Sequence, residues 1–273
     1  MNSAVIIGAA TGIGAGIAEA LAARGCAVLL ADIDLAAAEA RAAALRANGA
    51  VAHAAFADHA DQASLDQLAD QAFEKFGALD LVVANAGVGA GGPLYSTPQR
   101  NVDWVLAVNL VGPINVARAF LPRMILAGQP ARFALTASEH ALGLPPRGGQ
   151  ASIYTVSKHG ALAVAETLRR DLEGTQVSVS VVCPGIVATE IWNPLRTRHE
   201  RFGGPRELDP ARRPDPARGL TPAEAAERIL AGFDAGEFFV FTHGRDIAEV
   251  HERRAREIEA ALQRFAARYG DGA

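Results

Sequence analysis

The stretch AVIIGAATGIG, residues 4–14, determines the fold of this chain. Its apolar start is typical of a buried strand, its glycines of a turn, and residues 13–24 continue with the apolar spacing of a helix. Glycine is needed in such a turn because the backbone bends sharply and approaches a pyrophosphate, whose charge is met by N–H groups at the start of the helix. We therefore predict that Gly8, Gly12 and Gly14 form a dinucleotide-binding turn.

An acidic residue closes the second apolar run, about twenty residues after the turn. This residue, Asp32, can accept hydrogen bonds from both hydroxyls of an adenosine ribose. A 2′-phosphate at the same place would meet a like charge. The sequence therefore predicts that NAD(H) is the cofactor and is preferred over NADP(H).

Strand and helix patterns alternate along the chain. Apolar strand-like runs follow at residues 26–31, 51–56, 79–84, 132–137, 177–182 and 237–241. Helical spacing is found at residues 35–47, 62–76, 99–124 and 151–172, with a disturbance expected at Pro113. Because such alternation is typical of a parallel sheet covered by helices, we predict an α/β fold. It is a doubly wound parallel sheet with helices on both faces, a Rossmann fold, in a single domain over residues 1–273.

Two segments interrupt this alternation. Residues 189–221 are rich in proline and arginine, and a connection of this length after a strand end is predicted to be an active-site lid. Residues 245–269 have apolar side chains at steps of three or four, which predicts a C-terminal amphipathic helix. We expect this helix to pack on the body of the protein and not to anchor it to a membrane.

Composition limits the partners of the chain. Its 26 basic and 30 acidic residues give a net charge of −4 without long blocks of one sign, so no nucleic acid is expected as a partner. Cys26 and Cys183 are predicted to be buried free thiols, and no metal site is expected. No export signal is visible, and the longest uncharged apolar helical stretch, residues 104–117, is shorter than the roughly 20 residues that span a membrane. We expect a cytoplasmic protein that binds a small molecule and no membrane.

The motif YTVSK points to proton transfer. If residues 151–172 are helical, Tyr154 and Lys158 lie one above the other on one face of the helix. A phenol has a pKa of roughly 10, and a cation held nearby lowers that pKa because it favours the phenolate. By itself the spacing is also compatible with a packed tyrosine beside a surface lysine.

Together with the glycine turn, these residues resemble the short-chain dehydrogenase/reductase family, and the resemblance extends over residues 4–190. The other matching motifs are Asp58 after the third strand, the Asn85-Ala86-Gly87 loop, Asn109 with Gly112, Ser138, the Tyr154 and Lys158 pair, and Pro184-Gly185 with Thr189. Two departures are visible. Ile7 replaces the family's threonine, so a hydrogen bond between the turn and the Asn-Ala-Gly loop is expected to be missing. The segment between Ser138 and Tyr154, which contains PPRGGQ at residues 145–150, is a few residues longer than usual.

The resemblance implies a role for each motif. The implied catalytic residues are Asn109, Ser138, Tyr154 and Lys158. Tyr154 would be the general acid/base, and Ser138 would donate a hydrogen bond to the oxygen on which charge develops. Lys158 would lower the pKa of Tyr154 and hold the nicotinamide ribose, and Asn109 would position a water that links Lys158 to solvent. Thr136 also carries a hydroxyl on the same strand face, but the family spacing favours Ser138.

The resemblance also implies the binding residues and the assembly. The expected contacts to NAD are Gly8, Thr11, Gly12, Ile13, Gly14, Asp32, Asp58, Asn85, Ala86, Gly87, Tyr154, Lys158, Pro184, Gly185, Val187 and Thr189. The expected contacts to substrate are Ser138, His140, Tyr154 and Trp192. The family architecture implies a homotetramer built from the helices at 99–124 and 151–172, with a dimer as the alternative. Both helices carry apolar residues that suggest such contacts, namely Val105, Val108, Val116, Phe120, Leu162, Val164 and Leu168.

These observations predict an NAD(H)-dependent oxidoreductase, an alcohol dehydrogenase or carbonyl reductase, that interconverts a secondary alcohol and a ketone. The residues expected to line its pocket predict a mainly apolar or aromatic substrate, namely Ile186, Val187, Ile191, Trp192, Ala141, Leu142 and Leu144. Arginines of the lid such as Arg196 and Arg198 could instead pair with a carboxylate or phosphate. The alternative function is a catalytically silent NAD(H)-binding sensor or scaffold on the same fold, against which the four intact catalytic residues argue.

Overall fold

The computed structural model describes residues 1–145, 151–208 and 219–270, and in that part of the chain seven parallel strands form one sheet. The strands are β1 (Ser3–Ile7), β2 (Ala27–Asp32), β3 (Ala52–Phe56), β4 (Leu81–Ala84), β5 (Ala131–Thr136), β6 (Val177–Cys183) and β7 (Phe239–Phe241). Their order in the sheet is β3-β2-β1-β4-β5-β6-β7. Every predicted strand is present, with bounds within two residues of those expected from sequence. The order reverses between β1 and β4, which opens a crevice at the carboxyl ends of these strands.

The helices that connect the first six strands were predicted from sequence, and the helix between β6 and β7 was not. They are α1 (Gly12–Ala23), α2 (Leu35–Ala47), α3 (Gln62–Phe76), α4 (Gln99–Leu106), α5 (Gly112–Ala127), α6 (Ser152–Asp171), α7 (Pro222–Asp234) and α8 (Arg245–Tyr269). A π-helical turn, Ala107–Val111, joins α4 to α5 without a break. The predicted disturbance of the long helix therefore lies one turn before Pro113. Helix α7, to which no sequence pattern was assigned, begins with a capping box in which Thr221 and Glu224 bond to each other's backbone.

Helices cover both faces of the sheet, as expected for a doubly wound fold. On one face Ile17 of α1 and Ile229 of α7 belong to one buried apolar cluster, and on the other face Phe120 of α5 belongs to a second. Strands of a sheet that is covered on both faces are mostly apolar, and all five residues of β1 are buried. Cys26 and Cys183 are buried free thiols in these two clusters, as predicted.

The long helix is more apolar than the sequence analysis assumed. Gln99–Ala127 is a continuous helix whose length and mean hydropathy of 1.5 would suffice for a membrane span. However, 56% of its most apolar window is buried inside the protein. Its buried residues include Val105, Val116 and Phe120, which the sequence analysis took for surplus surface. These side chains fill the core of a single chain, so they are no argument for an interface between chains.

The C-terminal helix packs on the body only through its first turns. Ile247 and Val250 of α8 are buried against Leu142. The large apolar residues further along α8 are exposed, namely Ile258, Leu262, Phe265 and Tyr269. Helix α8 thus contacts the body through its N-terminal part, while the large apolar residues from Ile258 onward are exposed.

Candidate active site

A cleft of about 1020 Å³ lies at the carboxyl ends of the strands and collects most of the predicted site residues. The predicted residues that line it are Gly8, Thr11, Gly12, Ile13, Asp32, Asp58, Asn85, Ala86, Gly87, Ser138, His140, Tyr154, Lys158, Pro184, Gly185, Val187 and Thr189. Gly14 and Asn109 do not line the cleft and lie behind its wall. The side chain of Trp192 lies outside the described part of the chain.

The glycine turn is packed so tightly that side chains are excluded from it. Gly8 has a φ of +81°, and a Cβ atom there would lie 2.6 Å from Cα of Ala86. A Cβ atom on Gly14 would lie 2.1 Å from the carbonyl oxygen of Gly8. Both contacts are far shorter than any allowed between heavy atoms, and both involve backbone that cannot rotate away. The turn therefore requires glycine at positions 8 and 14.

The link between the turn and the Asn-Ala-Gly loop, which was expected to be missing at Ile7, is made by another residue. Asn85 donates a hydrogen bond from Nδ2 to the carbonyl oxygen of Gly8 at 3.0 Å. The hydroxyl of Thr136 in turn donates to Oδ1 of Asn85 at 3.0 Å. This contact fixes the orientation of the Asn85 amide. It also occupies the Thr136 hydroxyl, which leaves Ser138 as the hydroxyl beside Tyr154.

Asp32 is held by the backbone at the end of β2. Its two carboxylate oxygens accept hydrogen bonds from the N–H groups of Ala10, at 2.9 Å, and Asp34, at 3.0 Å. Burial raises the pKa of Asp32, and these two hydrogen bonds act in the opposite direction. Each oxygen keeps a further lone pair, so the carboxylate can still accept from a ribose.

Ser138, Tyr154 and Lys158 come together where β5 ends and α6 begins. Nζ of Lys158 donates to the carbonyl oxygen of Thr136 at 2.8 Å and lies 5.6 Å from the ring centre of Tyr154. Burial raises the pKa of Tyr154 to about 12, while hydrogen bonding to the Ser138 side chain lowers it. Burial lowers the pKa of Lys158 to about 8. The structure thus places a phenol, a hydroxyl and an amine in one desolvated site.

His140 lies beside the same phenol. Its ring packs edge-on against Tyr154, with 5.2 Å between ring centres, and its Nδ1 lies 2.7 Å from the hydroxyl of Thr155. Burial lowers the pKa of His140 to about 4, so the ring is neutral near pH 7. A neutral imidazole that lines the cleft can form a hydrogen bond with a substrate. It carries no positive charge that could pair with an acidic group of the substrate.

Asn109, in the π-helical turn, is hydrogen-bonded to the loop after β4 and to helix α6. Its side-chain oxygen accepts from the N–H of Val88 at 2.8 Å, and its Nδ2 donates to the Val88 carbonyl at 2.8 Å and to the Ser157 hydroxyl at 3.0 Å. Ser157 then donates to the carbonyl oxygen of Tyr154 at 2.7 Å. The amide of Asn109 therefore fixes the loop after β4 against helix α6. The role of Ser157 could not be predicted from the sequence, because a serine within a helix carries no signal of this role.

The model of the short chain dehydrogenase family matches residues 2–200 of the sequence. This chain belongs to the short-chain dehydrogenase family.

Individual members of the family resemble it closely. The 1-deoxy-11-beta-hydroxypentalenate dehydrogenase of Streptomyces exfoliatus is 44% identical over 190 residues, which are 69% of this chain and 68% of that protein. A short-chain dehydrogenase/reductase from Burkholderia phymatum, solved in complex with NAD, has a TM-score of 0.85 and 33% identity, covering 96% of this chain and 95% of that one. An alcohol dehydrogenase from Thermococcus sibiricus, complexed with 5-hydroxy-NADP, has a TM-score of 0.73 and 27% identity, covering 88% and 95%. Related structures thus hold either form of the dinucleotide.

The cleft of this dehydrogenase fits a nicotinamide dinucleotide. The glycine turn would accept the pyrophosphate at the start of α1, since Gly8 and Gly14 bring backbone where side chains would block it. Asp32 would meet the adenosine ribose, and Lys158 would meet the nicotinamide ribose. Among the described residues no group of three His, Cys, Asp or Glu side chains could hold a metal ion.

The segment predicted to be a lid is described over residues 189–208 and 219–221, and its first part lines the cleft and is tied to the loops after β2 and β3. Arg196 forms an ion pair with Asp34 at 3.2 Å, and Arg201 forms one with Asp58 at 3.0 Å. Residues 209–218 of the lid and 146–150 of the long segment before Tyr154 lie outside the described residues. The two ion pairs join positions more than a hundred residues apart, so no sequence pattern could have indicated them.

Arg198 is held differently from these two arginines. It is 7% exposed, lies 4.8 Å above the ring of Trp104, and donates to the side-chain oxygen of Asn101 and the carbonyl of Arg100 at 3.0 Å each. All of these partners are neutral. Within residues 1–145, 151–208 and 219–270, Arg198 has no carboxylate partner.

Proposed function

We propose that this protein is an NAD(H)-dependent oxidoreductase that interconverts a secondary alcohol and a ketone. The observation that supports this most directly is the meeting of Ser138, Tyr154 and Lys158 in the cleft that also contains the glycine turn and Asp32. A dinucleotide placed along that cleft would extend from the adenosine site to the catalytic side chains. The competing role of a silent NAD(H) sensor would not require this group of side chains.

The residues divide the work of hydride transfer among them. When bound, the nicotinamide would supply or accept the hydride. Tyr154 would give a proton to the carbonyl oxygen in reduction and take it from the hydroxyl in oxidation. Ser138 would donate a hydrogen bond to that oxygen, on which charge develops. Lys158 would hold the ribose hydroxyls, and Asn109 would position a water at the end of the proton path.

Turnover of simple substrates tests the proposed function. A panel of secondary alcohols and ketones, mixed with saturating NAD or NADH, should give a change in NADH absorbance for at least one pair. NADH binding, followed by its fluorescence, should be measured in parallel. Tight NADH binding without turnover of any substrate would favour the silent sensor, and failure to bind NADH would contradict both roles.

Asp32 should make NAD(H) the better cofactor by at least tenfold in kcat/KM, which corresponds to about 1.4 kcal/mol. The reason is that a 2′-phosphate would meet the half-buried carboxylate of Asp32. Asp32→Ser should narrow this ratio by relieving the repulsion, while Asp171→Ser, at the far end of α6, should leave it unchanged. Equal kcat/KM values for NADP(H) and NAD(H) in the wild type would contradict the prediction, and an unchanged ratio in Asp32→Ser would assign the choice to another residue.

We propose a mainly apolar or aromatic substrate. Some of the residues that were expected to line its pocket lie outside the cleft. Ala141 and Leu142 are buried in the core, and Leu144 does not line the cleft. Apolar residues that do line it are Val88, Ala90, Trp104, Ile186, Val187, Ile191, Leu195 and Phe202. An apolar substrate would bind to these walls because its hydrocarbon surface is removed from water, which contributes a favourable free energy of roughly 25 cal/mol per Å² of buried surface.

One observation favours an acidic group on that apolar body. Arg196 and Arg201 are already paired with acids, but Arg198 has neutral partners only among the described residues. The name of the Streptomyces exfoliatus relative is that of a dehydrogenase for a hydroxylated carboxylate. Arg198 does not line the cleft but lines a small adjoining cavity together with Arg206, which does line the cleft. An acidic group of the substrate that reached this cavity would find a guanidinium there.

A hydroxy acid and its methyl ester decide between the two candidates. For a purely apolar site we expect kcat/KM for the ester to equal or exceed that for the acid. The outcome that would contradict this is an advantage of more than tenfold for the acid that disappears in Arg198→Met. Arg256→Met, on the exposed face of α8, is the matched control and should leave the ratio of the two substrates unchanged.

We also propose that the protein is cytoplasmic and forms a homotetramer. Exposed apolar residues on the outer face of the long helices support the assembly, namely Val111, Ile114 and Val156. Light scattering should give about four times the chain mass of 28.4 kDa. A monomer mass would contradict the proposal, and a dimer would direct attention to the exposed apolar residues of α8.

A further inference from the structure

The π-helical turn that carries Asn109 leaves one carbonyl of the long helix without its usual partner. In an α-helix the N–H of Gly112 would donate to the carbonyl of Val108, four residues earlier. Here it donates to the carbonyl of Ala107, five residues earlier. Pro113 has no N–H and cannot donate to the carbonyl of Asn109 either. Buried backbone carbonyls are nearly always hydrogen-bonded, so a group from outside the helix is expected to take over the missing hydrogen bond.

His59 supplies the missing partner from outside the helix. It follows Asp58 after β3 and is 4% exposed, and its Nδ1 lies 2.9 Å from the carbonyl oxygen of Val108. Because a carbonyl oxygen only accepts, the proton of the neutral ring is on Nδ1. Burial lowers the pKa of His59 to about 4, so the ring stays neutral over the working range of an enzyme.

The shape of the π-helical turn is matched to the same ring. A Cβ atom on Gly112 would lie 2.2 Å from Nδ1 of His59 and 2.7 Å from its Cε1. The space that a side chain at position 112 would occupy is therefore filled by the imidazole. Gly112, at the start of α5, and His59, after β3, are therefore complementary in shape.

We propose that His59 is a positioning residue of this dehydrogenase, whose Nδ1–H holds the π-helical turn and thereby places Asn109 between Val88 and Ser157. The displaced turn is what lets the Asn109 amide reach both the loop after β4 and helix α6. Through the hydrogen bond from Ser157 to the Tyr154 carbonyl, the position of the catalytic helix depends on the same contact. The kinetic part of this proposal rests on the proposed oxidoreductase function.

Three replacements of His59 separate the role of Nδ1 from those of bulk and of Nε2. His59→Asn retains an N–H donor at the distance of Nδ1, His59→Gln carries its amide one bond further out, and His59→Leu keeps bulk without a donor. We expect kcat to fall about tenfold or more in the Leu and Gln variants, with the KM for NAD within threefold of wild type, because displaced catalytic groups lose rate steeply. His59→Asn should keep at least a third of the wild-type kcat.

A readout besides activity tests the same contact. Hydrogen–deuterium exchange of peptides that cover Ala107–Val111 and Gly112 should be faster in the Leu and Gln variants and near wild type in the Asn variant. Leu65→Ala, a buried change in α3, is the control: it should lower the unfolding temperature but leave kcat at 25 °C and the exchange of this turn unchanged. The control shows whether loss of stability by itself affects turnover.

Several outcomes would overturn the proposal. The first is a kcat for His59→Leu within twofold of wild type. The second is a kcat that is retained in His59→Gln but not in His59→Asn, which would assign the role to Nε2. The third is unchanged hydrogen–deuterium exchange of the turn in all three variants. If the wild type turns over no alcohol, the proposed function fails, yet the exchange measurements still decide whether His59 holds the turn. Should His59→Leu not fold, the comparison of Asn with Gln decides alone.

Discussion

Replacing Tyr154 with phenylalanine is expected to lower kcat by a factor of about 10² to 10⁴, the usual contribution of a general acid or base. The variant keeps the ring and its edge-on contact with His140, so packing is preserved while the proton donor is removed. NADH should bind as it does to the wild type, because the glycine turn and Asp32 are untouched. Initial rates with saturating cofactor and a fluorescence titration with NADH measure the two quantities.

The pH profile provides a second readout for the same change. Since burial raises the pKa of Tyr154 to about 12, the phenol is protonated near neutral pH and is ready to act as an acid. The oxidation of alcohol needs the deprotonated form, so its rate in the wild type should rise as the pH increases. In Tyr154→Phe this dependence on pH should be lost. Tyr95→Phe, whose side chain is almost fully exposed, is the control and should match the wild type. A Tyr154→Phe variant that retains a third of the wild-type kcat would show that the proton goes elsewhere.

Gly14→Ala is expected to weaken NADH binding by about a hundredfold or more. The added Cβ atom would lie 2.1 Å from the Gly8 carbonyl oxygen and 2.6 Å from Nδ2 of Asn85. Because the first atom is backbone and the second is fixed by two hydrogen bonds, the turn would have to open and its pyrophosphate site would be lost. The dissociation constant of NADH, from fluorescence titration, measures the effect.

A second glycine serves as the control for this prediction. Gly244, at the start of α8, has a negative φ, and a Cβ atom added there would meet no heavy atom within 4 Å, so Gly244→Ala should bind NADH normally. The unfolding temperature of both variants should be measured, because the opened turn also packs against the Asn-Ala-Gly loop. An NADH affinity of Gly14→Ala within threefold of wild type would show that the turn is more adaptable than this geometry allows.

Local patterns in the sequence determined most of the architecture. Apolar runs separated by helical spacing predicted each strand to within two residues and the two-sided sheet, because strands covered on both faces are mostly apolar along their whole length. The helices at 35–47 and 62–76 have the predicted bounds. Gly8, Gly12, Asp32 and Ser138 lie in one cleft because parallel strands end at the same edge of the sheet, and helix α6 brings Tyr154 and Lys158 to the same cleft. The regular order of strands and helices thus brings residues that are distant in the sequence close together in space.

Only the tertiary structure decided which partner each polar group has. The link from Asn85 to Gly8 replaces the one expected to be absent at Ile7, and the amide of Asn109 proved to join a loop to α6. Arg196 and Arg201 pair with acids at distant strand ends, whereas Arg198 has only neutral partners among the described residues. Such contacts join residues far apart in the chain and follow from how elements pack, so they impose no periodicity on the sequence near either partner.

Several apolar residues lie elsewhere than predicted for the same reason, since the sequence near a residue does not specify which surface it packs against. Ala141 and Leu142 entered the core, Val116 and Phe120 did likewise, and most of the apolar face of α8 remained exposed. An apolar side chain gains free energy from burial against any apolar surface, whether core, pocket or interface. Its identity therefore indicates that it tends to be buried, while the packing of the whole chain decides what buries it.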